Sequence, residues 1–439
     1  MNPPQELQSV CWSFVKAKNV GLTWAAQVHP ILEPWLRVFL DFPRGKSIAH
    51  RFRVPFIDTT TMHICEMASH LTNQSALVRN LQRDTTRTCN DGRVLDSLPI
   101  LDMSALDNGE ESARRFRQQL RQATHEVGFF YLVGHGIPQA LIDNILDVSR
   151  RFFALPEGEK LAIENIHSPQ FRGYTRIGRE LTHGDVDWRE QIDIGEERPA
   201  VERGAGIPDY WRLEGPNLWP ANFPDLQPIV TRWTTELNAL ALRLLRTWAL
   251  ALGASEDVFD AAFADHPFSL LKIVRYPGES ADVTKQGVGA HRDGGVLTLL
   301  LVDPGKGGLQ VDHGGEWIDA PSIPGAFIVN IGEMLELATD GYLKATLHRV
   351  VSPQVGTDRI SIPFFFNPAL DATMPRLELD PVLRAEARGL SVDPTNSPIL
   401  ETYGDNALRY RLRAHPNVAE IHHADLLEIS LAKSARDNM

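Results

Sequence analysis

The chain is poor in cysteine. Cys11, Cys65 and Cys89 stand alone among 439 residues, too few for a disulfide framework, so a reducing compartment, the cytoplasm, is expected. No run of about 18 apolar residues occurs, so no membrane span is expected. The N-terminus has no basic stretch leading into an apolar core, which speaks against a secretory signal. Basic residues are the minority, 44 Lys and Arg against 56 Asp and Glu for a net charge of −12. A nucleic-acid partner would ask for the reverse, a basic face to meet phosphates. A small anionic ligand stays open, because one arginine can set the local field whatever the total. Internal repeats and low-complexity tracts are absent as well. What is present is an ordinary globular composition, 43% hydrophobic and 23% charged, in a chain long enough to bury a sizeable core.

The first 94 residues differ from the rest. They carry 11 Lys and Arg against 7 Asp and Glu, the remainder 33 against 49, and all three cysteines fall among them. They show no sustained helical or strand period, which reads as a poorly ordered extension, as translated upstream sequence, or as an accessory segment. From Leu98 the pattern changes. Leu98–Asp102 reads as a short strand, Ser112–Glu126 as an amphipathic helix and Val127–Val133 as a buried strand. Helices are expected over Gln139–Leu155 and Trp233–Leu252, the second stopped by Gly253. After Phe268 come short apolar runs punctuated by Gly and Pro. These are Leu270–Tyr276, Gly289–Val302, Leu309–Val311, Trp317–Ile318, Ala326–Ile331, Thr346–Val351 and Ile360–Phe366, a pattern that suggests a jelly-roll-like barrel. From Pro394 the chain looks helical. The resulting division is 1–94 extension, 95–260 helical and strand segment, 261–370 jelly roll and 371–439 C-terminal helical segment, in the α+β class.

Chemistry concentrates in the jelly roll. In Gly287-Val-Gly-Ala-His291-Arg292-Asp293, the histidine and aspartate are two apart, so on a strand both side chains leave one face. His348 lies 55 residues beyond Asp293 in another expected strand. Two histidines and a carboxylate form the facial triad of non-haem Fe(II) oxygenases, with positions left open for dioxygen and a chelating 2-oxo acid. Taken singly these residues say little, since His-x-Asp pairs are common on surface loops and a lone histidine is commonly a hydrogen-bonded core residue. The added weight comes from Arg359 and Ser361, which share one face of an apolar strand. A guanidinium buried there needs an anion, and the distal carboxylate of 2-oxoglutarate fits its fork.

In this combination the sequence resembles the isopenicillin N synthase-like 2-oxoglutarate/Fe(II)-dependent dioxygenases, from about Leu98 onward. Gly128-Phe-Phe-Tyr-Leu-Val-Gly-His-Gly-Ile137, Gly307-Gly-Leu-Gln-Val311 and Asn330-Ile-Gly-Glu-Met334 also look like that family. The resemblance implies a double-stranded β-helix with flanking helices, Fe(II) and dioxygen, and 2-oxoglutarate as co-substrate, with no catalytic side chain beyond the metal centre. It also implies a co-substrate role for Tyr276 in Arg275-Tyr276-Pro277. The chain departs from many relatives at Val274, Arg292 and Glu333, where Asn, Thr and Asp are common. Phe364, Phe366 and Tyr174 are candidate substrate contacts. The expected reaction is oxidation of a small organic molecule by a monomer, with release of succinate and carbon dioxide. Ethylene formation from 2-oxoglutarate and a non-catalytic binding protein on the same barrel are the alternatives.

Overall fold

The computed structural model describes residues 97–278, 286–391 and 399–427, so the expected extension and, within the expected C-terminal segment, residues 392–398 and 428–439 lie outside the described residues. The described residues all fall in the unit Asn73–Met439. The helices follow from apolar spacing. Helix α1, Glu110–Glu126, buries Ala113, Phe116, Leu120 and Ala123, one stripe at three- and four-residue intervals. Helix α2, Gln139–Phe153, does the same with Leu141, Ile145, Val148 and Phe152. Helix α3 runs over Leu226–Ala251. It starts well before the apolar pattern predicts, because Pro228 is tolerated in a first turn whose N–H groups lack intrahelical partners. Gly253, at φ 82°, ends it in the left-handed conformation that suits glycine.

The described residues hold fourteen strands: β1 Ile100–Asp102, β2 Phe129–Val133, β3 Gly173–Thr175, β4 Leu181–Thr182, β5 Asp185–Val186, β6 Glu190–Gly195, β7 Leu270–Tyr276, β8 Gln286–His291, β9 Leu297–Val302, β10 Leu309–His313, β11 Glu316–Asp319, β12 Phe327–Ile331, β13 His348–Val351 and β14 Arg359–Phe366. An eight-stranded sheet has the order β1-β2-β12-β9-β14-β7-β6-β3, and a four-stranded sheet the order β11-β10-β13-β8. Strands from both sides of residue 260 therefore share one sheet. The one expected run Gly289–Val302 is two strands, β8 and β9, broken at residues 292–296.

Both faces of the large sheet are covered. On one face α1, α2 and α3 pack against residues such as Leu271, Ile273, Leu299, Ile362 and Phe364. On the other, Phe129, Tyr131, Val274 and Tyr276 join one cluster with Val288, Val311 and Val350 of the small sheet. This is the double-stranded β-helix, with helices on the outer face of its large sheet and the inter-sheet space inside. β14 shows the alternation: Ile360, Ile362, Phe364 and Phe366 pack toward the helices, so Arg359, Ser361, Pro363 and Phe365 face the interior.

The turn from α1 into β2 rests on Gly128, at φ 77°. A Cβ there would collide with the Lys344 carbonyl and the Thr346 hydroxyl, which itself donates to the Val127 carbonyl at 2.6 Å. We expect Gly128→Ala to cost about 2 kcal/mol or more, from left-handed strain plus the collision, and to lower the melting temperature by several degrees. Melting within one degree of the parent chain would refute that account.

Candidate metal and co-substrate site

His291 closes β8 and His348 opens β13, and the two residues are directly paired across the small sheet. Their rings lie 4.3 Å apart, centroid to centroid. Asp293 sits just past the end of β8, so it reaches the pair from a loop and not, as the two-residue spacing predicts, from the strand itself. Its Oδ1 is 3.6 Å from His291 Nε2 and 3.7 Å from His348 Nε2. One atom from each of the three lies within 4.8 Å of the other two, close enough to share one cation.

The remaining polar atoms of the triad are already engaged. His291 Nδ1 bonds the Gly289 carbonyl at 2.8 Å and His348 Nδ1 bonds the Thr346 carbonyl at 3.0 Å. Carbonyls accept only, so each Nδ1 carries the proton and each Nε2 presents a lone pair inward. Asp293 Oδ2 accepts from Thr298 Oγ1 at 2.6 Å and from Asn330 Nδ2 at 2.8 Å, leaving Oδ1 free. Burial, followed by the neighbouring His291, pushes His348 down to about 4, so it is neutral at physiological pH. Burial works against the Asp293 charge, but hydrogen bonding, with the Thr298 hydroxyl among the donors, outweighs it and holds the carboxyl well below its usual range. A neutral imidazole, an ionised carboxylate and aligned lone pairs are what an Fe(II) ion requires. No motif picks out Thr298 and Asn330. Asn330 stands in a family-like stretch with no role attached, and Thr298 needs the strand pairing to be found.

Arg359 opens β14 opposite Tyr276 of β7, and Ser361 lies opposite Val274. All three expected co-substrate residues therefore face the interior. The Arg359 guanidinium lies over the Tyr276 ring, 4.9 Å from its centroid, and its Nε donates to the Gly307 carbonyl at 2.8 Å. Arg359 is 1% exposed, and its Nη1 is buried without a partner. Among the described residues no carboxylate comes within ion-pair distance of it; Asp303 is engaged by Arg150 and by the Ile360 N–H. The barrel thus holds a buried cation with an unmet need for an anion.

The candidate substrate contacts require correction. Phe364 and Phe366 lie on the helix-facing side of β14, and Phe366 stacks on Phe263 with centroids 4.5 Å apart. Tyr174 packs against Phe152 and donates to Glu190 Oε2 at 2.6 Å, again on the helix side. Period two, the rule that places Arg359 and Ser361 inside, puts Phe365 inside instead. Three other histidines hold backbone carbonyls: His135 bonds that of Gly325, His422 that of Ile166 and His423 that of Pro169.

Comparison with known proteins agrees with this geometry. Residues 98–222 match the family described as non-haem dioxygenase in morphine synthesis, N-terminal, and residues 267–368 match the 2OG-Fe(II) oxygenase superfamily. The chain is 37% identical over 340 residues to the 2-oxoglutarate-dependent dioxygenase frbJ of a Dothideomycetidae species, a match covering 74% of this chain and 91% of that one. It is also 37% identical to an Arabidopsis thaliana homoarginine-6-hydroxylase, over 64% of this chain and 88% of that one. Among solved structures, a full-length Neurospora crassa protein in complex with alpha-KG superposes with a TM-score of 0.58 at 26% identity, over 73% of this chain and 97% of that one. The chain belongs to the 2-oxoglutarate/Fe(II)-dependent oxygenases and is a non-haem iron dioxygenase that oxidises a small molecule with 2-oxoglutarate as co-substrate.

Proposed function

We propose that His291, Asp293 and His348 bind the iron, that Arg359 and Ser361 anchor the distal carboxylate of 2-oxoglutarate, and that the reaction is hydroxylation of a small organic substrate. The carrying observation is the Arg359 guanidinium, buried without a counter-ion on the wall of the barrel that also holds the triad. A bidentate carboxylate satisfies its free Nη1 and restores charge balance. The Tyr276 ring beneath the guanidinium fixes its plane, and its Nε bond to Gly307 removes one rotational freedom, so the fork waits in its binding orientation. Bound iron, with 2-oxoglutarate and dioxygen, supplies the oxidising equivalent that inserts oxygen into a C–H bond while succinate and carbon dioxide form. The protein's part is positional. Thr298 and Asn330 hold Asp293 Oδ2 so that Oδ1 stays directed at the cation. Phe129 packs edge-on against the His348 ring, with centroids 5.1 Å apart, and keeps water from that side.

Hydroxylation is favoured over ethylene formation by the hydroxylases among the relatives. Scarce cysteine and the lack, among the described residues, of a helix long and apolar enough to cross a membrane support the cytoplasm as compartment. The acidic balance supports a small-molecule partner rather than nucleic acid, and we read the working form as a monomer.

Two measurements test this assignment. Asp293→Ala should leave less than about a tenth of the parent iron content after anaerobic reconstitution, and release no succinate above background; full iron occupancy would refute the ligand assignment. Arg359→Gln should keep its iron while the KM for 2-oxoglutarate rises by roughly ten- to a hundredfold, the value of a lost charge-assisted pair. An unchanged KM would remove Arg359 from the co-substrate site.

A further inference from the structure

One row of paired residues crosses the large sheet at the level of the triad. Asn330 of β12 pairs with Thr298 of β9, Thr298 with Phe365 of β14, Phe365 with Leu270 of β7, and Leu270 with Gly195 of β6. The first two residues hold the Asp293 carboxylate. At the far end, the Arg172 guanidinium occupies the space that a Cβ on Gly195 would take. Gly195 shares its face with Gln191, which pairs with Val274 of the inter-sheet cluster. The guanidinium is thus on the interior side.

Arg172 is 2% exposed. Its Nε and Nη1 are buried without an acceptor, and its guanidinium lies over Phe268, 5.1 Å from the ring centroid. The acidic groups near it are already committed. Asp193 accepts from Arg411 at 2.8 Å, has Lys272 at 3.5 Å and also accepts from Gln191. Glu196 accepts from Asn238 and lies beyond ion-pair distance of Arg172. Across the buried cluster, Glu180, Asp187 and Asp193 are matched by Arg189, Lys272 and Arg411. His415 adds no charge, since burial pushes it down to about 4. Among the described residues of this cluster Arg172 is the surplus cation, and burial, its largest influence, leaves it still protonated at neutral pH.

Between Arg172 and the triad the wall is apolar. Pro363 and Phe365 are only half-buried although they face the interior of a strand otherwise shielded, so this face of β14 borders open space. Three strand spacings separate Thr298 from Gly195, about 14 Å along the sheet. With the Arg172 side chain and the metal ligands reaching in from either end, the remaining gap has the length of a small organic acid.

We propose that Arg172 is the specificity-determining counter-ion for a carboxylate on the primary substrate, whose carbon skeleton lies along Leu270 and Phe365 with its reacting carbon toward the triad. This deepens the iron and 2-oxoglutarate assignment and rests on it for the position of the metal. It places the substrate anchor at the opposite end of the barrel from Arg359.

The test is calorimetric titration of the anaerobic Fe(II)–2-oxoglutarate protein with hexanoate, phenylacetate, 3-phenylpropionate and L-norleucine, each beside its primary amide. At least one acid should bind roughly tenfold or more tighter than its amide. Arg172→Gln should bring that ratio within twofold, and Arg172→Lys should retain part of it, with the KM for 2-oxoglutarate unchanged in both. No acid preference in the parent protein, or a preference that survives in Arg172→Gln, would overturn the proposal. If Arg172→Gln does not fold, the parent ratio and the Arg172→Lys variant decide it. Binding of 2-oxoglutarate is read separately, by the charge-transfer absorption it induces. Loss of that signal counts against the Arg359 anchor, while the acid-to-amide ratio alone decides the role of Arg172.

Discussion

The pairing of His348 with His291 is the constraint on which the rest of the site depends. Between that pair and the next, Val350 with Val288, the single residue Arg349 of β13 faces two residues of β8, so β8 carries a bulge at Gly289 and Ala290. Without it, Val288 and His291, three residues apart, would leave opposite faces of the strand. The bulge turns both inward, Val288 into the inter-sheet core and His291 toward Asp293. Its cost in lost ladder bonds is partly offset, since the Gly289 N–H donates to Asp187 at 3.1 Å. A one-residue slip in this pairing would take His348 out of the barrel and expose Val350. The core packing that fixes the register therefore also fixes the metal geometry.

Because the register decides the site, the sequence discloses the site unevenly. Residue types and spacing suffice for the triad, for Arg359 and Ser361 on one strand face, and for a barrel of short strands. They misplace the approach of Asp293: a strand is expected to carry it past His291, whereas the chain leaves β8 there and turns through Gly294 and Gly295. A bulge leaves no mark in a hydrophobic pattern, so the inward aim of both Val288 and His291 cannot be read from spacing. The displaced substrate candidates have a different origin. Phe364 and Phe366 stand out by their nearness to Arg359, although alternation on the same strand already assigns them to the helix side. Arg172 and Gly195 meet through the pairing of β6 with β7 and the path of the chain into β3, contacts that no local pattern encodes.

The same logic explains where this acidic chain keeps its uncompensated positive charge. Whatever the net charge of −12, a charge exposed to solvent is screened by water and salt within about 10 Å. Arg359 and Arg172 sit where that screening is weak, and each leaves N–H groups without a partner. Burying an unpaired guanidinium is expensive. A fold that holds two of them, on one inner wall with the triad's level running to the second, recovers that cost when anions arrive at each. Two anchors of the same sign, set apart across the metal, also give direction. Under the assignments proposed above, a substrate carboxylate held at Arg172 would approach the triad from one side and 2-oxoglutarate held at Arg359 and Ser361 from another. Neither then competes for the other's anchor, and the open positions of the triad stay with 2-oxoglutarate and dioxygen.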